Sequence, residues 1–211
     1  MQDLSKYQHP RFARAYERMT ERADPATAAL RERLLAGLTG RVIEIGAGNG
    51  LNFPHYPAGV REVVAVEPDH LLRAAAERAA ARAPVAVRVV PGHAGALPGG
   101  PGAYDAAVLS LVLCTVPDPA ATLAEVRRLL APGGELRYFE HVRSPRPVRG
   151  VLQDLITPLW RRVGGGCHPN RDTAAAIRAA GLLVEEQRSF AHRPVPGSPA
   201  LTHILGRARN P

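Results

Sequence analysis

Residues 42–50 read VIEIGAGNG, an apolar run that stops at Gly46, Gly48 and Gly50. Glycines so spaced let a chain turn sharply, because glycine takes positive φ at little steric cost. A dinucleotide-binding turn follows G-x-G-x-x-G, and its third glycine would stand where the chain has Leu51. The spacing here is G-x-G-x-G, with Glu44 inside the preceding strand, and a plain left-handed turn would satisfy it equally well. Glu67 tips the balance. It ends the next apolar run, 21 residues after Gly46. A carboxylate at that distance accepts hydrogen bonds from ribose hydroxyls. The pair points to a nucleoside-bearing ligand held at the ends of two adjacent strands.

Such a site needs a parallel sheet beneath it. Helix formers dominate 12–38, broken near ADPAT, where Asp24 before Pro25 reads as an N-cap with proline at the first helical position. Gly37 and Gly40 mark the stop. Strands are expected over 41–45, 63–67, 85–90, 105–113 and 135–140, with helices over 68–82 and 119–130, the latter closed by APGG. Strand and helix alternating at this pace belong to the α/β class with a parallel sheet. After 140 the alternation stops. A loop rich in Arg and Pro covers 142–147, a helix with a break point at Pro158 covers 148–163, and GGGCHPNRD is a second loop. A helix over 173–180 and strands over 183–190 and 202–208, joined by AHRPVPGSPA, complete the chain.

Composition narrows the function. The longest apolar run, 106–116, is too short to span a bilayer, and the N-terminal MQDLSKYQHPRFARAYERM has no signal-type apolar stretch. A soluble, cytoplasmic protein is expected. Cys114 and Cys167 make neither a disulfide framework nor a metal-ligand cluster in sequence, so no metal is expected. The formal charge is +8, and Lys6 is the sole lysine among 27 basic residues, a bias that accords with GC-rich coding. No basic run is interleaved with aromatics, which argues against a nucleic-acid partner.

Several segments, in order, carry a resemblance. VIEIGAGNG, VVAVEP, GHAGALP and YDAAVLSLVLCTVPDPAATLAEVRRLLAPGGELRYFEH together resemble the class I S-adenosylmethionine-dependent methyltransferases over 41–141. GNGLNFPHYP, LVLCTV, FEHV, the LW before the glycine-rich CHPNRDT, and HILGRA are similar to the alkyl-thiol S-methyltransferases of animals and their bacterial relatives. The resemblance implies a Rossmann-like α/β fold whose mostly parallel sheet of seven strands ends in an antiparallel one. It also implies one methyltransferase domain over 1–211: a helical cap (1–40), a cofactor-binding core (41–140), a lid insertion after strand five (141–171) and a C-terminal helix and strand pair (172–211). The cofactor would be S-adenosylmethionine, leaving as S-adenosylhomocysteine. Gly46, Ala47 and Gly48 would border its methionine end, with Gly50 and Asn52 completing the loop and Glu44 supporting the amino group. Glu67, followed by Pro68, would hold the ribose. His93 and Ala94 would frame the adenine. His93 stands where the family has Asp, and it accepts a hydrogen bond only through an unprotonated nitrogen. Ser110 and Leu111 would lie near the transferable methyl, and Tyr7 and Tyr16 would close over the cofactor.

The implied reaction is an in-line displacement on an activated methyl. A thiol acceptor, with a pKa about 8.5, needs modest help to ionise, and a phenol near about 10 gains more from a base. The candidate bases are His141, His168 and Asp154. Tyr56, beside His55, would stand on the sulfonium side, and Trp160 and Cys167 in the acceptor pocket. An apolar lid of Leu152, Leu155, Ile156 and Trp160 favours a small hydrophobic acceptor. Two other readings remain open. One is a lipid-headgroup or quinone methyltransferase in peripheral membrane contact through Arg143, Arg146, Arg149, Arg161, Arg162 and Arg171. The other is a catalytically silent cofactor-binding partner protein. The hydrophobic anchor of the animal relatives has no counterpart here, so no stable membrane insertion is expected. The Asn- or Asp-Pro-Pro-aromatic signature of base methylation is absent after the fourth strand, where SLVLCTV stands.

Overall fold

The computed structural model describes residues 3–21, 24–193 and 200–211. Its strands are β1 (Gly40–Ile45), β2 (Val60–Val66), β3 (Val87–Val90), β4 (Tyr104–Ser110), β5 (Leu130–His141), β6 (Leu183–His192) and β7 (Leu201–Arg209). They form one seven-stranded sheet in the order β3-β2-β1-β4-β5-β7-β6. β7 is antiparallel to both neighbours, and the other pairings are parallel. This is the Rossmann-like architecture expected from the sequence.

The central strands are buried on both faces, which is why they read as continuous apolar runs. On one face Ile43, Ile45, Val64, Val66 and Leu109 pack with Leu123 and Val126 of α4 (Pro119–Leu129) and Ile177 of α6 (Thr173–Ala179). On the other, Val42, Val63, Ala65, Val108 and Phe139 pack with Leu34 and Leu35 of α2 (Pro25–Leu35) and Ala76 of α3 (His70–Ala80). The chain leaves β1 toward β2 on one side and returns to β4 on the other, so the carboxyl ends of β1 and β4 diverge. Ligands of open α/β sheets bind at such a point.

Local chemistry sets the boundaries. Asp24 accepts from the Ala26 and Thr27 amides, capping α2 as its sequence predicts. Asp69 does the same for the Leu71 and Leu72 amides, so α3 starts at His70 and not at 68. β5 begins at Leu130 and bulges through APGG: Tyr104 pairs with Leu130, and Ala106 with Glu135. Of the AHRPVPGSPA connection, 194–199 lie outside the described residues.

The helix after β5, α5 (Pro147–Val163), differs from expectation in two ways. It runs through Pro158 without a break, and Thr157 Oγ1 donates to the Gln153 carbonyl at 2.6 Å. It is also turned polar side in. Gln153 and Thr157 are buried, and Gln153 donates to the Val142 and Pro169 carbonyls and accepts from the Ser144 amide. Val148, Val151, Leu152, Leu155, Ile156 and Leu159 form the exposed face, with Val148 at 83% and Leu155 at 73%. The apolar side chains of Leu152, Leu155 and Ile156, expected in a lid, face solvent in this structure. Among the described residues, no helix is long and apolar enough to cross a membrane.

Candidate active site

Gly46, Gly48 and Gly50 all take positive φ (66°, 58° and 82°), so the turn after β1 is left-handed three times in five residues. The Gly46 and Ala47 amides both donate to the Val66 carbonyl, tying the turn to the end of β2. Gly46 is pressed against the loop after β4: a Cβ there would lie 2.7 Å from Val112 Cγ2. Gly48 is open, and its Cβ would meet only a Tyr16 ring carbon at 3.7 Å. Glu67 follows β2, and its carboxylate accepts from the Gly48 amide at 2.8 Å and the Asp69 amide at 2.9 Å. The acidic side chain and the glycine turn thus meet, as the sequence spacing implied, and together they offer a nucleoside a bare backbone cradle and a carboxylate.

Glu44, Asn52 and Tyr56 lie behind the turn. Glu44 is buried and accepts from Asn52 Nδ2 at 2.8 Å and the Tyr56 hydroxyl at 2.7 Å. Asn52 Oδ1 accepts from Arg31 Nη1 at 2.6 Å, and the same nitrogen lies 3.4 Å from Ser110 Oγ. This network braces the turn from beneath. It corrects two expectations: Tyr56 does not face a substrate, and Asn52 is an inner strut. Arg31 went unnoticed in the sequence because nothing in RERLL sets it apart. Glu44 gave the one available signal, since an acid inside an apolar strand demands buried donors.

The N-terminal segment lies over the same edge. Gln8 Nε2 donates to the Pro68 carbonyl, and the His9 amide donates to Asp69 Oδ2 at 2.9 Å. Tyr7 stacks on His93, with ring centroids 5.1 Å apart. From α1 (Pro10–Thr20), Thr20 Oγ1 accepts from Asn49 Nδ2. A Cβ at Gly165 would strike the Phe12 ring at 2.8 Å, so α1 also touches the loop after α5. His93 Nδ1 accepts from the Gly95 amide at 3.1 Å, which places the proton of its neutral ring on Nε2. Ala94 is half-buried beside it.

Leu111 is the only non-glycine residue with positive φ (62°) among the described residues. The turn it makes brings the Val112, Leu113 and Cys114 amides onto one carboxylate. Glu140, 0% exposed, accepts from the first two at 2.9 Å through Oε1 and from the third at 3.2 Å through Oε2. Sequence reading passed over Glu140 because its partners lie more than twenty residues away.

Of the candidate bases, Asp154 is corrected. It is exposed, its carboxylate is paired with Arg143 at 2.9 Å and accepts from Asn170, and the Arg143 hydrogen bond holds its pKa below the usual value. His168 is half-buried, with Nδ1 at 3.3 Å from the Cys114 carbonyl, and burial lowers its pKa. His141 is buried at the end of β5, with Nδ1 at 3.4 Å from Cys167 Sγ and 3.6 Å from Cys114 Sγ. The two cysteines, read from sequence as forming no metal-ligand cluster, therefore converge with His141. Trp160 is half-buried near Cys167.

Burial raises Glu44, Glu67 and Glu140 from 4.5 to about 7 each, against their hydrogen bonds, which act the other way. Between pH 4.5 and 7 the folded chain then holds more protons than the unfolded one, so these groups lose stability as pH rises through 7. Burial depresses His203 from 6.5 to about 3, with the opposite sign, and most of that contribution is already in place at pH 6.5. The ligand-free protein is therefore expected to unfold at lower urea at pH 8 than at pH 6.5. Equal midpoints would contradict the burial of these carboxyls.

A methyltransferase-domain family model matches residues 43–138. The thiol S-methyltransferase TMT1B of Rattus norvegicus is 31% identical over 204 residues, covering 93% of this chain and 81% of that protein. TMT1B of Homo sapiens is 35% identical over 182 residues, covering 82% and 73%. A solved geranyl diphosphate methyltransferase in complex with S-adenosylmethionine shares the fold, with a TM-score of 0.71 at 15% identity over 99% of this chain and 95% of that one. The glycine turn and Glu67 fit the donor such proteins use, and the match to TMT1B runs through nearly the whole chain. The chain belongs to the S-adenosylmethionine-dependent methyltransferases, in the family of the TMT1B thiol S-methyltransferases, and S-adenosylmethionine is its cofactor.

Proposed function

We propose that this enzyme methylates the sulfur of a small, apolar thiol in a cytoplasmic setting. The observation that carries the reading is the identity to TMT1B thiol S-methyltransferases over 204 residues. The acceptor end of the sheet supports it, because Cys114, His141 and Cys167 make a soft, buried corner beside the loop that touches Gly46. Two free cysteines suit a reducing compartment.

Gly46, Ala47 and Gly48 border the methionine end of the donor, braced by Glu44 and Asn52, with Gly50 closing the turn. Glu67 holds the ribose, and the Pro68 carbonyl is already tied to Gln8. His93, with its proton on Nε2, donates to an adenine ring nitrogen in place of the acceptor bond an Asp would make. Ser110 and Leu111 stand at the methyl. S-adenosylmethionine supplies an activated methyl on a sulfonium, displaced in line by the acceptor. The chain's own work is positioning, which can reach about 7–11 kcal/mol at its limit. The thiol ionises at the His141 end of the sheet, and the 1–40 and 141–171 segments close over the two ligands. A mass-spectrometric screen of alkyl thiols, phenols and amines tests this. Thioether products from apolar thiols are expected; methylation of phenols or amines alone would overturn it.

A second reading has its own observation. The exposed apolar face of α5 is flanked by exposed Arg146, Arg149, Arg161 and Arg162, an arrangement suited to an anionic membrane surface. Flotation with anionic vesicles that is lost on Leu155→Asp would favour a lipid or quinone acceptor. No flotation at low salt would remove that reading.

A further inference from the structure

Three side chains outside the donor cradle meet on the acceptor side of the sheet. Cys114 lies on the loop after β4, His141 closes β5, and Cys167 stands between α5 and α6. They are 1%, 7% and 6% exposed. Their Sγ, Nδ1 and Sγ atoms all lie within 4.8 Å of one another. Each falls in one of the motifs LVLCTV, FEHV and CHPNRDT that carry the likeness to thiol methyltransferases.

The hydrogen-bond contacts of His141 Nδ1 are to the two cysteine sulfurs, the geometry of three ligand atoms facing a common centre. A tetrahedral zinc ion, with Zn–S about 2.3 Å and Zn–N about 2.1 Å, sets sulfur and nitrogen about 3.6 Å apart. The observed separations are 3.4 and 3.6 Å. Two thiolates and an imidazole select zinc over magnesium or calcium. Three protein ligands with one free position are the pattern of catalytic zinc, whereas structural sites are closed by four. The ligands are also held in advance. Glu140 fixes the Cys114 amide, and the His168 amide donates to the Cys114 carbonyl at 2.6 Å.

We propose that Cys114, His141 and Cys167 bind a zinc ion through Sγ, Nδ1 and Sγ, and that its fourth position takes the acceptor thiol. This rests on the thiol reading above, and it makes His141 a ligand in place of a proton acceptor. Loading the metal releases the two cysteine protons. The acceptor R–SH gives its proton to solvent as R–S⁻ binds zinc. A sulfur lone pair then forms the S–CH3 bond while the methyl–sulfonium bond breaks, its electron pair going to the donor sulfur. The products are S-adenosylhomocysteine and a neutral thioether, which is a weak ligand and leaves. Charge closes as well. Zinc and two thiolates are neutral together, and Arg171 beside the two cysteines offsets the charge of the acceptor thiolate. That guanidinium donates to the Leu113 and Val116 carbonyls at 2.6 and 2.7 Å and interacts electrostatically with both cysteines.

The test is cobalt substitution in the metal-stripped protein, with no methyl donor present. One cobalt per chain is expected, with a sulfur-to-cobalt charge-transfer band and tetrahedral d–d bands. Cys167→Ser and His141→Ala should weaken binding by more than the roughly 100-fold that loss of an outer-sphere partner costs. Circular dichroism on both variants checks that they fold, and if either does not, Cys114→Ser provides the same readout. An alkyl thiol should then shift the d–d bands, and its methylated thioether should not. Absence of stoichiometric cobalt binding, or a Cys114–Cys167 disulfide in freshly purified protein, would overturn the site. Binding without a thiol-induced shift would overturn the acceptor's place on the metal. Because no turnover is needed, these outcomes stand apart from the product screen that tests the thiol reading itself.

Discussion

Gly46→Ala is expected to lower the melting temperature by roughly 10 °C. Two costs add. A non-glycine residue at φ 66° carries left-handed strain of about 1–2 kcal/mol. The new Cβ would also lie 2.7 Å from Val112 Cγ2 in a packed interior, an overpacking cost of about 1–3 kcal/mol. Gly48→Ala separates stability from binding. Its φ of 58° brings similar strain, yet its nearest neighbour is a Tyr16 carbon at 3.7 Å. That variant should lose only the strain part, roughly 5 °C in melting temperature, while its affinity for S-adenosylhomocysteine falls at least about tenfold, a loss of about 1.4 kcal/mol. Scanning calorimetry and titration calorimetry on both variants provide the comparison. A Gly46→Ala protein as stable as its parent would mean that the turn and the Val112 loop are not in contact.

Glu140→Ala should be the more damaging change. It strips the acceptors from three buried amides, those of Val112, Leu113 and Cys114. An orphaned buried donor costs about 1–3 kcal/mol, so a total of roughly 3–9 kcal/mol is expected. Should that protein fail to fold, Glu140→Gln gives the same information on a smaller scale. Its carbonyl keeps part of the set and it carries no proton to titrate. Its urea midpoint should therefore fall less, and its stability should vary less between pH 6.5 and 8. A Glu140→Ala midpoint within error of the parent would show that the loop is held by something else.

What the sequence revealed depended on the range of the interaction. Asp24 with Pro25, the strand–helix alternation, and the meeting of the glycine turn with Glu67, made through the Gly48 amide, are local or follow a fixed crossover, and all appear in the structure. Glu44 was visible as an acid in an apolar strand, but its partners Asn52, Tyr56 and Arg31 come from two other elements, so Tyr56 was assigned to the wrong side of the turn. Asp154 was open to pairing with a nearby arginine, but which one, and the Asn170 contact beside it, follow only once α5 has folded back. The apolar stripe of α5 reads by periodicity as a buried face. Gln153 reverses it, because its amide alone can satisfy the Val142 and Pro169 carbonyls and the Ser144 amide. The Cys114–His141–Cys167 corner gives no spacing signal, since three separate elements each contribute one residue.

A crystal structure of the protein soaked with S-adenosylhomocysteine bears most directly on the whole account. The nucleoside should lie over Gly46–Gly48 at the ends of β1 and β2, its ribose hydroxyls on the Glu67 carboxylate and its sulfur toward Leu111. A product bound elsewhere, or a ribose out of reach of Glu67, would contradict it.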